Sequence, residues 1–174
     1  MEASHSALVV TIPEAERVVA PHRERLDQAA SWGVPAHVTV LFPFLPPAEI
    51  DERVLGTLGR AAATVPAFFV ALSRLGWFAD RVVWLAPSPA EPFQQLTAAV
   101  TSRFPGVRPY EGAFDEVVPH LTIGHDHPVD VLTAAGEAVA AHLPIRARVD
   151  TLRLITGRPE PGGSWLTQAL IPLG

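Results

Sequence analysis

Two stretches decide how this chain folds: Pro35-Ala36-His37-Val38-Thr39-Val40 and Val118-Pro119-His120-Leu121-Thr122-Ile123. In each, a histidine is followed by an apolar residue, a threonine and a β-branched residue, within a run typical of a buried strand. Side chains two positions apart on a strand point to the same face. Each stretch therefore places one imidazole and one hydroxyl side by side, and we expect the two halves of the chain to present them to one ligand.

Size and composition indicate a globular protein. The chain has 174 residues, of which 48% are apolar, enough for one domain or two closely joined lobes with a full core. It has no cysteine, which excludes a disulfide framework, a thiol nucleophile and a cysteine-based metal site. The start of the chain lacks a signal-like segment, and no stretch reaches the ~20 apolar residues that span a bilayer, so a cytoplasmic location is expected.

The charge of the chain limits its partners. All 13 basic residues are arginine, and 18 acidic residues bring the formal net charge to −5 at pH 7. Non-specific binding to a long duplex depends on many phosphate contacts, which this balance disfavours. We therefore expect a small nucleotide, or the end of an RNA, as the ligand, and nothing in the sequence requires a membrane, a protein partner or more than a monomer.

The order of elements suggests an internal repeat. A strand, a helix, a motif strand, a helix and a strand are predicted once over residues 7–75 and again over 82–156, with a closing strand at 164–171. The last strand of the second copy is predicted as one segment over residues 145–156, and the first helix is predicted to continue to residue 31. The fold class is predicted as α+β. Residues 1–174 would form one bilobal domain of two pseudo-symmetric lobes, each with an antiparallel-rich sheet and two outer helices, around a central groove.

The paired residues suit displacement at phosphorus. Imidazoles titrate near neutrality, so one can accept a proton while another donates one. An in-line cleavage of a phosphodiester needs both roles, on opposite sides of the phosphorus. We therefore predict His37 and His120 as the catalytic pair, with Thr39 and Thr122 donating hydrogen bonds to the non-bridging oxygens, where charge must be held. No metal or other cofactor is required by this set.

The paired His-x-Thr-x motifs, together with the repeated α+β halves, resemble the two-histidine (2H) phosphoesterases, in the branch of RNA 2′,3′-cyclic phosphodiesterases and 2′-5′ RNA ligase-like proteins. The resemblance covers nearly the whole chain. It implies a bilobal fold with a central groove and a metal-independent enzyme that hydrolyses ribose 2′,3′-cyclic phosphate or a related nucleotide or RNA phosphodiester. It also implies RNA ligation as the reverse reaction, and it gives His37, His120, Thr39 and Thr122 the roles stated above.

The sequence departs from that family shortly after the second motif. Many relatives carry an arginine there, near the phosphate, whereas this chain has His125, which supplies a cation only when protonated. Arg158 is a further candidate for the missing cation. Three aromatic residues are predicted to stack on a base, one just past the first motif strand and two in the loop before the second: Phe44, Tyr110 and Phe114. Phe42 has the opposite strand parity to His37 and is predicted to be core.

Three alternatives stay open at this stage. His120, His125 and His127, beside Asp126, have residue types that suit zinc. Strand parity places the last two on the face opposite the first unless the chain bends at Gly124, so no metal site is predicted. The second alternative is a non-catalytic module that binds nucleotides or RNA ends, and the third is a structural α+β protein in which the motifs are a coincidence.

Overall fold

Eight strands and five α-helices make up the part of the fold that the structure describes. The structure, a computed structural model, describes residues 1–113 and 117–174. The strands are β1 His5–Thr11, β2 His37–Leu41, β3 Phe68–Phe78, β4 Val82–Ser88, β5 Leu121–His125, β6 Ile145–Val149, β7 Thr151–Gly157 and β8 Trp165–Pro172. The helices are α1 Pro13–Leu26, α2 Gln28–Ser31, α3 Glu52–Ala62, α4 Glu91–Arg103 and α5 Val129–Ala140, and two 3-10 turns lie at Pro47–Glu49 and Pro109–Gly112.

The strands form two four-stranded antiparallel sheets, which confirms the predicted α+β class. Sheet A has the order β2-β1-β7-β8, and sheet B has the order β5-β4-β3-β6. The sheets do not follow the two copies of the repeat, because β3 from the first copy pairs with β4 and β6 in sheet B. The strands β7 and β8, at the end of the chain, return to complete sheet A.

The segment predicted as one strand over residues 145–156 is two strands in two sheets, so that prediction was wrong. Asp150 separates β6 from β7, and its backbone oxygen accepts a hydrogen bond from Leu173. The apolar positions are 145, 147 and 149 before the junction and 152 and 154 after it, so the alternation breaks at Asp150 and Thr151, and this break was the sign in the sequence that one strand ends and another begins.

The first helix is also divided. α1 starts with Pro13 in its first turn, where the missing N–H costs nothing, and ends before Asp27. The Asp27 side chain accepts a hydrogen bond from Ala29, which caps the short helix α2. The single helix predicted to continue to residue 31 is therefore interrupted at an N-cap residue, a residue type that also marks helix starts in sequence.

One hydrophobic core joins the sheets to the helices. α3 and α4 contact sheet A, and α1 and α5 contact sheet B, so each sheet has two main helices on one face. Complete burial of a leucine or isoleucine side chain contributes ~1.5–3 kcal/mol. Fully buried core residues come from both sheets and all four helices, among them Leu8, Leu85, Leu121, Val19, Leu58, Leu96 and Leu132.

The opposite faces of the sheets line a groove. β2 is the edge strand of sheet A, β5 is the edge strand of sheet B, and the two strands contact each other. The two motif strands therefore lie at the junction of the sheets. A separate small apolar cluster, which includes Val9 and Trp165, lies on the face of sheet A away from the main core. None of the helices among residues 1–113 and 117–174 is long and apolar enough to cross a membrane.

Candidate active site

His37 begins β2, and its tautomer is fixed by its own backbone. The burial of this strand alternates, with His37 and Thr39 half-exposed and Val38 and Val40 buried. The Nδ1 atom of His37 lies 2.8 Å from the carbonyl oxygen of Pro35. Because a carbonyl only accepts, Nδ1 carries the hydrogen and Nε2 keeps its lone pair.

His120 repeats this arrangement at the start of β5. Its Nδ1 atom lies 2.7 Å from the carbonyl oxygen of Val118, again two residues earlier in the chain. Both imidazoles therefore present a free Nε2. Thr39 and Thr122 are also half-exposed, and neither hydroxyl forms a hydrogen bond within the described ranges 1–113 and 117–174. The two motifs thus hold matching sets of one base-type nitrogen and one free hydroxyl.

The two sets lie in one groove. β2 contacts β5 directly, and the charge on His120 is close enough to His37 to lower the pKa of the His37 imidazole. One small anionic group between the strands would be within reach of side chains from both motifs. Two proton-transfer groups and two hydroxyl donors are the set that an in-line displacement at phosphorus uses.

His37 lies against a buried ion pair from α1. The Arg23 Nε atom is 2.9 Å from Asp27 Oδ2, and both side chains are almost fully buried. Arg23 also donates to the carbonyl of Val34 at 3.1 Å, which fixes the residue before Pro35. Burial, reinforced by the nearby Arg23 charge, lowers the pKa of His37 to about 4, although the hydrogen bond to Pro35 and the charge of Asp27 oppose the shift.

His120 lies among aromatic rings instead. Its ring centroid is 4.9 Å from that of Phe78, edge to face, and 5.8 Å from that of Trp84. Burial lowers the pKa of His120, while the hydrogen bond to Val118 raises it. No arginine contributes to the shift of His120, which distinguishes it from His37.

A pocket of about 250 Å³ opens beside the first motif. Its aromatic walls are Trp32, Phe42 and Trp165, and His37 and Thr39 lie at its edge. Phe42 therefore faces the groove, and its prediction as a core residue was wrong. A β-bulge in the pairing of β1 with β2, after Thr39, puts two successive residues on the core face and returns Phe42 to the groove.

Phe44, three residues beyond the end of β2, is not at the groove mouth. Phe44 is only 6% exposed, belongs to the main core, and packs edge to face on Phe104 at 5.1 Å. Its prediction as a stacking residue was therefore wrong. Tyr110 is bonded through its backbone N–H to the carbonyl of Phe42 at 2.6 Å, and burial raises the pKa of its phenol. Phe114 lies outside the described residues.

His125 lies on the groove side of β5, contrary to the parity prediction. Thr122 pairs with Trp84 but Gly124 pairs with Val83, so a bulge shifts the alternation and places His125 on the same face as Thr122. Its Nε2 atom is 3.4 Å from Asp27, and its Nδ1 atom is 3.1 Å from Asp126. The hydrogen bond to Asp27, aided by Asp126, raises the pKa of His125 despite its partial burial.

The cation candidates therefore differ in what they contact. His125 is directed towards two carboxylates, and Arg158 is paired with Glu160 beside Pro159, which lines the aromatic pocket. Over residues 1–113 and 117–174, no three His, Cys, Asp or Glu side chains are grouped so as to hold a metal ion. The histidine cluster considered for zinc thus has no ligand arrangement there.

The tryptophans of the groove were not predicted as site residues, although two glycines in the strands could have indicated them. Gly157 pairs with Trp165, and a Cβ on Gly157 would overlap the Trp165 ring. Gly76 pairs with Trp84 in sheet B, and a Cβ there would overlap that ring in the same way. A glycine within a strand often marks a close approach, here by a tryptophan lying across the sheet in each lobe.

The chain matches known proteins over nearly its whole length. A family model described as the 2′-5′ RNA ligase superfamily matches residues 11–159. E. coli LigT complexed with 3′-AMP has 18% identity and a TM-score of 0.60, with 99% of each chain covered. TT0787 of Thermus thermophilus has 18% identity and a TM-score of 0.63, with 97% of each chain covered. A structure described as a phosphoesterase has 20% identity and a TM-score of 0.59, with 98% of each chain covered. A search of the curated proteins finds no match.

Proposed function

Because the chain belongs to the 2′-5′ RNA ligase superfamily, we propose that it is a metal-independent phosphoesterase that hydrolyses ribose 2′,3′-cyclic phosphate on a nucleotide or RNA end. The observation that carries this is the matched pair of imidazoles. His37 and His120 share one tautomer, each presents a free Nε2, and their strands contact each other. Thr39 and Thr122 supply two hydroxyl donors that no other described side chain occupies.

The different surroundings of the two histidines support a division of roles. His37, with a pKa of about 4, is unprotonated at neutral pH and suits the general base. It accepts a proton from the water whose oxygen attacks phosphorus. His120, which has no arginine beside it, suits the general acid and donates its Nε2 proton to the ribose oxygen as the P–O bond breaks. The product is a phosphomonoester and a free ribose hydroxyl, so atoms and charges balance.

The threonines act where charge is greatest. The two non-bridging oxygens of the cyclic phosphate carry the negative charge of the transition state, and a hydroxyl aimed at each would stabilise it without reorganisation. An anion bound between the histidines also raises both imidazole pKa values, since a nearby opposite charge favours the protonated form. Substrate binding therefore helps His120 to hold the proton that it donates.

An assay with a chelator tests the proposal. The purified protein is incubated with EDTA and each 2′,3′-cyclic mononucleotide, and separately with a short RNA ending in a cyclic phosphate. Turnover in chelator to a 2′- or 3′-monophosphate is the expected result, and the product position identifies the leaving oxygen. Binding without turnover of any of these substrates would contradict the proposal and favour a non-catalytic module that binds nucleotides or RNA ends.

RNA ligation is tested in the same samples. In ligation, a hydroxyl at one RNA end replaces water as the attacking group, and His37 and His120 keep their roles. Because sealing competes with hydrolysis, we expect it only when the second RNA end is concentrated, and detection of a joined product by gel analysis checks it.

A further inference from the structure

The charged residues of the strands are all of one sign. Over residues 1–113 and 117–174, no strand contains aspartate or glutamate, although the whole chain has 18 acidic residues and a net charge of −5. The strands contain four arginines, one on β3, two on β6 and one on β7: Arg74, Arg146, Arg148 and Arg153. Within the same described ranges, the acidic residues lie on helices, turns and loops.

All four arginines are on the groove face of the sheets. Arg153 pairs with Val9, which pairs with Thr39 of the first motif, so the three side chains share one face of sheet A. In sheet B, Arg74 pairs with Ala86, two residues along β4 from the Trp84 that pairs with Thr122. A protein that is acidic overall thus presents a basic surface in its groove, which favours a polyanion there.

Arg146 and Arg148 continue this face to the far edge of sheet B. Arg146 pairs with Ala71, which pairs with Ser88, and these residues alternate with the buried Val70, Leu72 and Ala147. Arg148 pairs with Phe69. We call Phe69, Arg146 and Arg148 the outer platform.

The outer platform has an aromatic ring with no packing role. Phe69 is 75% exposed although it lies within β3, and it borders a depression of about 520 Å³. Arg148 is paired with Asp150 at 2.5 Å and Glu14 also lines the depression, which leaves Arg146 as the arginine of the platform that forms no ion pair over residues 1–113 and 117–174. An exposed aromatic ring between arginines on an antiparallel sheet is the combination that stacks bases and binds phosphates of single strands.

The outer platform lies a few nucleotides from the reactive groups. Ser88 is four residues along β4 from Trp84, about 14 Å at the rise of a strand, and β6 is three strands from β5 at about 4.8 Å each. The platform is thus about 15–20 Å from His120 over a continuous sheet face. This is too far for a mononucleotide and suits a short extended strand.

We propose that the outer platform binds single-stranded RNA on the 5′ side of the terminal phosphate, with a base stacked on Phe69 and phosphates held by Arg146 and Arg148. The inference rests on the proposed function for the position of the RNA end. It makes an oligonucleotide, and not a free cyclic mononucleotide, the preferred substrate.

Kinetics on two substrates test the proposal. We compare kcat/KM for a cyclic mononucleotide with that for a five- or six-nucleotide RNA bearing the same terminal cyclic phosphate. Wild type should prefer the RNA, and Phe69→Ala should lower kcat/KM for the RNA by about 5- to 150-fold, the range for loss of one base–aromatic stack. Arg146→Ala should also lower kcat/KM for the RNA and reduce the slope of log KM against log salt concentration by about 0.7. Neither variant should change the rate on the mononucleotide.

Matched surface variants serve as controls. Leu166→Ala removes another exposed apolar side chain from a strand, 66% exposed in β8, and Arg53→Ala removes an exposed arginine from α3. Both should leave the RNA reaction unchanged. An RNA substrate no better than the mononucleotide, or a Phe69→Ala variant with equal losses on both, would overturn the proposal and leave the phosphoesterase assignment intact.

A binding measurement separates the two proposals completely. Fluorescence anisotropy with a labelled single-stranded RNA that ends in a 3′-phosphate needs no turnover. Weaker binding by Phe69→Ala, with Leu166→Ala unchanged, would support the outer platform even if no cyclic phosphate were hydrolysed. Equal affinity of wild type and Phe69→Ala, or equal affinity for a duplex of the same length, would contradict it.

Discussion

His37 and His120 hold the same tautomer in the same four-residue motif, yet their neighbours differ. α1 supplies the buried Arg23–Asp27 pair beside His37, and Arg23 also holds the carbonyl of Val34. The corresponding position at His120 has the rings of Phe78 and Trp84. The two motifs thus share the position of the free ring nitrogen, whereas the surroundings, which set the proton affinity, differ. The proposed function uses this difference to divide the roles of base and acid.

Removal of either imidazole gives the largest expected effect. His37→Ala and His120→Ala should each lower kcat by roughly 10²–10⁴-fold, the usual contribution of a general acid or base. Initial rates on the best cyclic phosphate substrate measure this. His142→Ala, at an exposed position outside the groove, is the control, and circular dichroism checks that each variant is folded. Near-wild-type turnover by either motif variant would contradict the two-histidine mechanism.

Breaking the ion pair should mainly affect stability. Arg23→Met leaves Asp27 as a buried charge whose remaining side-chain partner is His125, and loss of one partner of a buried pair costs about 3–5 kcal/mol. The free energy of unfolding from urea titration measures the effect. Arg81→Met, which removes the exposed partner of Asp126, should reduce the free energy of unfolding much less. Equal losses in the two variants would show that the Arg23 pair adds nothing beyond a surface contact.

Alanine substitution of the two glycines that pair with tryptophans compares how tightly the two sheets are packed. Gly157→Ala meets both the Trp165 ring and the backbone oxygen of Ser164, whereas Gly76→Ala meets only the Trp84 ring. Overpacking costs about 1–3 kcal/mol, and a ring moves more easily than backbone, so Gly157→Ala should be the more destabilising. Thermal unfolding of both variants tests this order of stability. A larger loss of stability in Gly76→Ala than in Gly157→Ala would contradict it.

The sequence predicted the fold class and the motif strands, but not the bulges that reverse the alternation of side chains along those strands. The two motifs, the α+β class and the two sheets follow from periodicity and resemblance. Phe42 and His125 were misplaced because a bulge after Thr39 and another after Thr122 each insert one residue and reverse the parity of all that follows. Phe44 was misplaced because it lies beyond β2, where its backbone N–H donates to the carbonyl of Ser6 and its ring packs in the core. A bulge has no fixed residue signature, so counting by twos fails beyond it. The Arg23–Asp27 pair was missed because no pattern in the motifs indicates that the end of α1, although only ten residues before His37, packs its ion pair against that imidazole.

The pH dependence follows from the lowered pKa values of the two histidines. The base must be unprotonated, so kcat/KM rises with pH through the His37 pKa of about 4. The acid must be protonated, so kcat/KM falls again as the pH rises through the His120 pKa. Because burial lowers that pKa, this fall begins at a pH below 6.5, the ordinary pKa of histidine. The profile should therefore be a bell with its maximum at mildly acidic pH. A flat profile between pH 5 and 9 would contradict this assignment of acid and base.

The smallest expected effect on the reaction comes from Asp27, which lies beside His37 but not among the aromatic rings around His120. Asp27→Asn keeps an oxygen to cap α2 but removes the charge that raises the pKa values of His125 and His37. Both pKa values should fall, so the low-pH limb of kcat/KM should move to lower pH. The high-pH limb is set by His120, whose pKa is shifted by burial and by Val118 and not by Asp27, so it should stay in place. Asp51→Asn, which changes the capping residue of α3 far from the groove, is the matched control. NMR titration of the histidines checks the shifts, and an unchanged His125 pKa in Asp27→Asn would show that the buried carboxylate does not couple the first motif's ion pair to the second motif's strand.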